Sequence, residues 1–434
     1  GTAGLAANYS LNSTVINISK RVLNSSGSKL YDANTNALAS AITLSNLAST
    51  ETLVDSGTAS TSSANAGSYT ISNLTGISIA DGTNGGLASN YTLTGGTHNF
   101  TVNQRPLNAT LARQYDATTT SAGSTLSGFD ALQGGETLTM SGSGTAASKN
   151  VANGITMSSN GNLALVDGTG LASNYSLNST VINISKRVLN SSGSKTYDAN
   201  TNALASAITL SNLASTETLV DSGTATISSA NVGSYTISNL TGVSIADGTN
   251  GGLASNYTLT GGTHNFTVNR RVVGVSGTRL YDATTNAVAS DLATHANLVG
   301  SQTLTLSGTG TIASKNVGSN KTVSIGTLAL GDGTNGGLAA NYTLTGGTHQ
   351  LTVNQARISL TGSRQYDGTV NVRNSEVSLT GQQGGEDLTI SGTGSVASKN
   401  VGNGKSVTTT GLVLGNGQSG TPGLASNYTF SGGT

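Results

Sequence analysis

Apolar residues recur at every second position in short bursts along this chain, as in Leu138-Thr139-Met140, Phe266-Thr267-Val268 and Leu304-Thr305-Leu306. That is the period of a half-buried strand. In one representative stretch the bursts are Val22-Leu23, Thr52-Leu53-Val54, Tyr69-Thr70-Ile71, Ile77-Ser78-Ile79, Tyr91-Thr92-Leu93 and Phe100-Thr101-Val102, with the turn Asp81 to Gly86 between them. Short strands punctuated by Gly, Asn and Ser predict a small antiparallel sandwich, with a β-grasp-like unit as the alternative. Residues Asn36 to Ala41 could form one helical turn, too short for a helix of substance.

The pattern repeats. A Tyr-Asp pair stands at Tyr31-Asp32, Tyr115-Asp116, Tyr197-Asp198, Tyr281-Asp282 and Tyr366-Asp367, at a spacing of about 84 residues. Each is answered downstream by Asn-Tyr, at Tyr91, Tyr175, Tyr257, Tyr342 and Tyr428. A period of that size is one small domain, so the chain divides into residues 1–19 as the last strands of a preceding repeat, then repeats at 20–103, 104–185, 186–269, 270–354 and 355–434, the fifth without its closing strand. Repeats one and three are near copies; repeats two, four and five share Ala-Ser-Lys-Asn-Val around Lys149, Lys315 and Lys399, where the others read Ser-Ala-Asn around Asn65 and Asn231. No Pro/Gly/Ser tether separates the repeats: Phe100-Thr101-Val102 runs almost directly into Leu107-Asn108-Ala109. Short connections leave neighbours little freedom, so the array is expected to be a stiff rod, on the order of 200 Å for five domains in file. The two ends suggest a window on a longer stalk; chains joined head to tail by a donated strand are the other reading.

Composition narrows the function. Charged residues are 9% of the chain and cancel formally, which removes the field that nucleic acid or an anionic membrane would need. No apolar run approaches the roughly 20 residues of a membrane span. Cysteine is absent, so stability rests on packing rather than on disulfides or thiolate metal sites.

The order Arg/Lys-x-Tyr-Asp-Gly/Ala, Gly-Gly-Glu-x-Leu, Lys-Asn-Val-Gly and Leu-Ala-x-Asn-Tyr, clearest in residues 357–430, resembles the YDG and MBG-type repeats of filamentous-haemagglutinin-like adhesins. The resemblance covers the whole chain, although four of five markers read Tyr-Asp-Ala. It implies a surface stalk exported by two-partner secretion, an extracellular or cell-surface location, a role in biofilm attachment, and matrix polysaccharide or neighbouring adhesin chains as partners.

Candidate chemistry is thin. A tyrosine found once per domain is expected to be a half-buried anchor, and the aspartate beside it a turn cap; the alternative is an exposed platform for stacking glycans, in an array whose repeats themselves bind carbohydrate or self-associate laterally into filaments. Asp116, Glu136 and Lys149 have the residue types of an isopeptide staple, but other repeats lack the set. Asp81, Asp247 and Asp332 open Gly-rich loops with one carboxylate each, replaced by Asn416 in the last repeat, which favours tight turns over calcium. His98, His264 and His349 each precede a closing strand without a second histidine and are expected at a solvated edge. Only the fifth repeat carries a carboxylate pair, Glu386-Asp387. No catalytic, cofactor or metal site is expected, and the chain is expected not to be an enzyme.

Overall fold

The computed structural model describes residues 4–71, 74–237 and 240–431. The first three residues of the 1–19 segment and the last three of the fifth repeat lie outside the described residues. The chain is all-β, and among the described residues only three-residue 3-10 turns interrupt the strands. Among the described residues, no helix is long and apolar enough to cross a membrane. Two compact units are distinguished: Gly1–Leu189 with Asn212–Leu219 and Asp247–Gly261, and Asn190–Ser211 with Val220–Ala246 and Gly262–Thr434.

In the first unit, repeat one builds a sheet around its opening strand Asn24–Leu30. This strand pairs antiparallel with Ile42–Ser45 and parallel with the closing strand His98–Asn103, which pairs antiparallel with Gly67–Thr70. A second sheet holds Asn36–Leu38, Leu53–Ser60 and Ile77–Asp81. Leu23, Ala37, Ile42, Ile77, Phe100 and Val102 are buried in this repeat. Gly27 faces Phe100 across the parallel pair; a Cβ there would stand 2.2 Å from the Ala41 carbonyl oxygen and 2.9 Å from the Phe100 ring. The bulk of the phenylalanine is admitted by the missing side chain opposite. Repeat two merges the same elements into one six-stranded sheet, in which Arg105–Gln114 and Tyr175–Ser185 are the parallel pair.

In the second unit, repeat four has the same six-stranded layout, with Gly274–Leu280 parallel to His349–Asn354. The sheet of repeat three in this unit pairs Asn190–Thr196 parallel with His264–Asn269. In repeat five the opening strand Ala356–Gly362 pairs with Val377–Thr380 and, over only three residues, with Tyr428–Phe430.

The three histidines before the closing strands are buried at 5% exposure, not at a solvated edge. His98 accepts at Nδ1 from the Ser25 hydroxyl and donates from Nε2 to the Leu93 carbonyl. His349 accepts from the Val275 amide and donates to the Leu344 carbonyl. Both ring nitrogens of these two histidines are spent on the fold, because a buried polar ring must be paired.

Candidate functional site: a tyrosine clasp between consecutive repeats

The Tyr-Asp pair begins with its turn. Asp32, Asp116, Asp198, Asp282 and Asp367 each accept from the backbone N–H two residues on. Each also forms an ion pair with the cation three residues earlier: Lys29, Arg113, Lys195, Arg279 and Arg364. The third residue lies at positive φ, between 62° and 67° for Ala33, Ala117, Ala199 and Ala283 and 79° for Gly368. The turn therefore holds four alanines in a conformation that favours glycine. The tyrosine before the turn stands at the edge of its own core: Tyr31 packs with Ala37, Ile42 and Phe100 of its repeat and with Leu107, Leu138 and Tyr175 of the next.

Each internal marker tyrosine crosses to the next repeat. Tyr31 and Tyr175 both donate to Glu136, one to each carboxylate oxygen. Tyr115 and Tyr257 share Glu217 at 2.7 and 2.6 Å, and Tyr281 and Tyr428 share Glu386 at 2.6 and 2.8 Å. Tyr342 donates to the Gln302 Oε1, while the Gln302 Nε2 donates to the Tyr197 hydroxyl at 3.0 Å. The two rings at each junction meet edge to face, with centroids 5.2 to 5.4 Å apart and planes at 77 to 79°. Such a pair contributes ~0.5–1.5 kcal/mol beyond the area it buries. The Asn-Tyr tyrosine also accepts a backbone N–H, from Gln133 at Tyr175, Ala214 at Tyr257, Val299 at Tyr342 and Gln383 at Tyr428.

Two further contacts flank the rings. The asparagine of the Asn-Tyr pair reaches back into the preceding repeat. Asn174 accepts from the Ala66 amide and donates to Asn65; Asn256 does the same with Val151 and Asn150. Asn341 pairs so with Val232 and Asn231, and Asn427 with Val317 and Asn316. All four of these asparagines are 1% exposed. The opening arginine of a repeat then holds the marker's carbonyl: Arg105 on Tyr31, Arg187 on Tyr115 and Arg271 on Tyr197. At the last junction Ala356 takes the arginine's place opposite Tyr428.

Electrostatics differ among the junctions. Lys149 and Lys315 reach from one repeat to the carboxylates Glu217 and Glu386 of the next. Burial works to raise the Glu217 pKa, yet the hydrogen bonds from Tyr115, Tyr257 and Lys149 outweigh it and leave the group below its ordinary value. Glu386 is lowered in the same way, with Lys315 foremost against the desolvation. Tyr257 is pushed up to about 12, by burial first and then by its bond to Glu217.

Other candidates fall elsewhere. Lys149 meets Glu217 rather than Glu136, and Asp116 meets Arg113, so the isopeptide set is not assembled. Asp387 is taken by the amides of Gln418 and Ser419, and Glu386 by the clasp. Asp81, Asp167, Asp247 and Asp332 each accept the first amide of a 3-10 turn, as the Asn416 amide oxygen does in repeat five. That shared task explains why asparagine replaces aspartate there. No group of three or more potential metal ligands occurs among the described residues.

The expectation of one half-buried anchor in all five markers does not hold. Tyr31, Tyr115, Tyr197 and Tyr281 are 0 to 3% exposed, whereas Tyr366 is 62% exposed. Burial of the marker depends on the receiving face of a following repeat, so it is not a property of the marker's own domain. The YDG domain family matches residues 19–98, 102–182, 185–264, 267–351 and 348–434. This chain belongs to the YDG domain family. No curated protein matches it. The tyrosine that opens the YDG signature is thus, at each internal junction, the part of one YDG repeat that its successor holds. Sequence reasoning noted Glu136 and the Gly-Gly-Glu-x-Leu motif but missed the role that Glu136, Glu217 and Gln302 share as acceptors, although a Glu or Gln two residues before a leucine recurs once per period.

Proposed function

We propose that this array of YDG repeats is a structural spacer, the stalk of a secreted or cell-surface bacterial adhesin of the filamentous-haemagglutinin-like kind, exported by two-partner secretion. It holds an adhesive region away from the cell for attachment in biofilms, and it has no catalytic role. The observation that carries this reading is the clasp itself: four successive junctions spend buried side chains on fixing one repeat to the next. A binding or catalytic module would keep such polar and aromatic groups for a ligand. The internal marker tyrosines, being buried, are also unavailable as stacking platforms for carbohydrate, so a matrix polysaccharide or a neighbouring adhesin chain would meet other faces. Small-angle scattering tests the reading. A maximum dimension on the order of 200 Å is expected for five stiffly joined domains. Compact or freely kinked particles, or the same scattering after Tyr115→Ala and Tyr281→Ala, would count against it.

A further inference from the structure

One row of side chains can be followed through repeats one to four. It crosses the opening strand, with the closing strand on one side and a short edge strand on the other. In repeat one the row is Leu44, Ser25 and His98, in repeat two Phe129, Ala109 and Thr180, and in repeat three Leu210, Ser191 and His264. In repeat four it is His295, Val275 and His349. Neighbours in such a row stand on strands about 4.8 Å apart and point to the same side of the sheet. That side is the interior, because Ser25, Ala109, Ser191 and Val275 are all buried. Repeat four thus sets two imidazoles around an apolar centre.

The centre decides what the neighbouring histidine tolerates. At Nδ1, His98 and His264 meet the hydroxyls of Ser25 and Ser191 at 3.0 and 2.9 Å. A hydroxyl turns about its C–O bond to donate or accept, so it stays paired if the ring takes a second proton. His349 instead accepts from the Val275 amide at Nδ1 and donates from Nε2 to the Leu344 carbonyl. An amide cannot reverse. A proton at that Nδ1 would set one N–H against another in the interior.

His295 lacks even that bond at Nε2, which is shut off from solvent and has no hydrogen-bond partner among the described residues. Burial holds its pKa below the ordinary histidine value. The charged groups on the surrounding elements are committed elsewhere: Arg279 to Asp282, Arg271 to the Asn297 carbonyl, Lys321 to the Ser314 carbonyl and Asp332 to the Ala339 amide. Asp291, on the 3-10 turn Ala289–Asp291, is itself raised by burial and interacts with Arg279. The neutral His295 ring is therefore the form that the fold holds. Its contribution is complete above the ordinary histidine value and is lost as pH falls below it toward the folded one. The strand that carries it, Thr294–Ala296, is three residues long and stands at the edge of the six-stranded sheet. Short edge strands are the first to open.

We propose that repeat four is an acid-opened element of the array: below neutral pH, protons taken up at His295 and at Nδ1 of His349 release Thr294–Ala296 and bare the backbone edge of Gly274–Leu280. Repeats one and three carry Leu44 and Leu210 in place of His295 and a serine at the centre, so they stay closed over the same range. Repeat two has no histidine in its row. The clasp at Gln302 contains no group that titrates there and holds. The opening also lies above the range in which carboxylates take up protons, which separates it from any change at Glu217. It stands whether or not the array serves as a spacer, since it rests on the interior of one repeat.

Hydrogen exchange of the full chain between about pH 7.5 and about pH 5 tests the proposal. Protection in repeat four is compared with that of the equivalent amides in repeats one and three, so that the intrinsic pH dependence of exchange cancels. The amides of Thr294–Ala296 and of residues 274–276 should lose at least about tenfold in protection, while Ile42–Ser45 and Ile208–Ser211 keep theirs. His295→Leu should remove most of the loss, Val275→Ser should reduce it, and the two together should abolish it. Each substitution installs the residue that repeats one and three hold at that place, so neither variant is expected to unfold, and protection at the upper pH checks this. Equal losses in repeats one and four, or a double variant that responds to acid as the parent chain does, would overturn the proposal.

Discussion

At one junction Tyr115 and Tyr257 meet over Glu217, which also receives Lys149; at another Tyr197 and Tyr342 meet over Gln302, with Ala230 where the lysine would stand. The ring geometry is the same, 5.4 Å between centroids at both. One centre is an ionised carboxylate and the other a neutral amide. The shape of the clasp therefore comes from the two rings and one planar acceptor, and charge is an addition that some junctions carry. An ion pair suits this role, because its desolvation cost limits what it can contribute.

The strongest way to break the comparison is to remove a ring. Tyr115→Ala should cost about 3–5 kcal/mol at its junction, and Tyr197→Ala a similar amount, since packing is shared by both. Tyr366→Ala in the single chain should stay within about 0.5 kcal/mol. Hydrogen-exchange protection of the amides around each junction reads all three. Equal losses at Tyr115 and Tyr366 would show that the tyrosine acts within its own repeat.

Charge is the next lever. Lys149→Met should cost about 1–2 kcal/mol, less than a fully buried pair would lose, because the lysine side chain is 34% exposed. The same substitution cannot be made at the Gln302 junction, which supplies the neutral reference. Acid should separate the two further. The folded pKa of Glu217 is depressed, so its contribution is complete above the ordinary carboxylate value and is lost as pH falls through the folded one. Exchange near Glu217 should accelerate in acid while that near Gln302 holds, and Glu217→Gln should remove the difference. In alkali the raised Tyr257 acts in the opposite sense: its neutral form stabilises the fold below the ordinary tyrosine value, and that is lost as pH rises through about 12. The smallest effect belongs to the turn. Ala33→Gly should stabilise repeat one by up to about 1 kcal/mol, visible as a raised unfolding midpoint, since it relieves the positive φ at that alanine.

Much of the fold was legible because it is local. Alternation within a few residues marked the strands, and the Tyr-Asp and Asn-Tyr pairs marked the period. The destination of the tyrosine was not, because Tyr31 meets Glu136 across more than one full period of chain. A residue that recurs once per domain reads equally as that domain's core or as its neighbour's. The same blindness applied to Asn65 and Asn231, whose recurrence was visible but whose partners Asn174 and Asn341 stand in the next repeat. The histidines were misplaced for a different reason: nothing in the order of residues tells that Ser25 and the Leu93 carbonyl converge on His98.

The parallel pairing of first and last strands in a repeat has a mechanical meaning. Tension along the backbone of repeat one would pull Asn24–Leu30 and His98–Asn103 in opposite senses along their common axis. Their hydrogen bonds would then be loaded together in shear rather than opened singly like a zip, and Phe100, seated over Gly27, would have to be dragged out of its socket before the strands could slide. Single-molecule pulling should show each of repeats one to four yielding in one abrupt step, and a gradual low-force opening would contradict this. In repeats one to four, tension along the backbone would be borne by the paired strands through which it enters and leaves, so each of these domains would give way as a unit rather than unravel from one end.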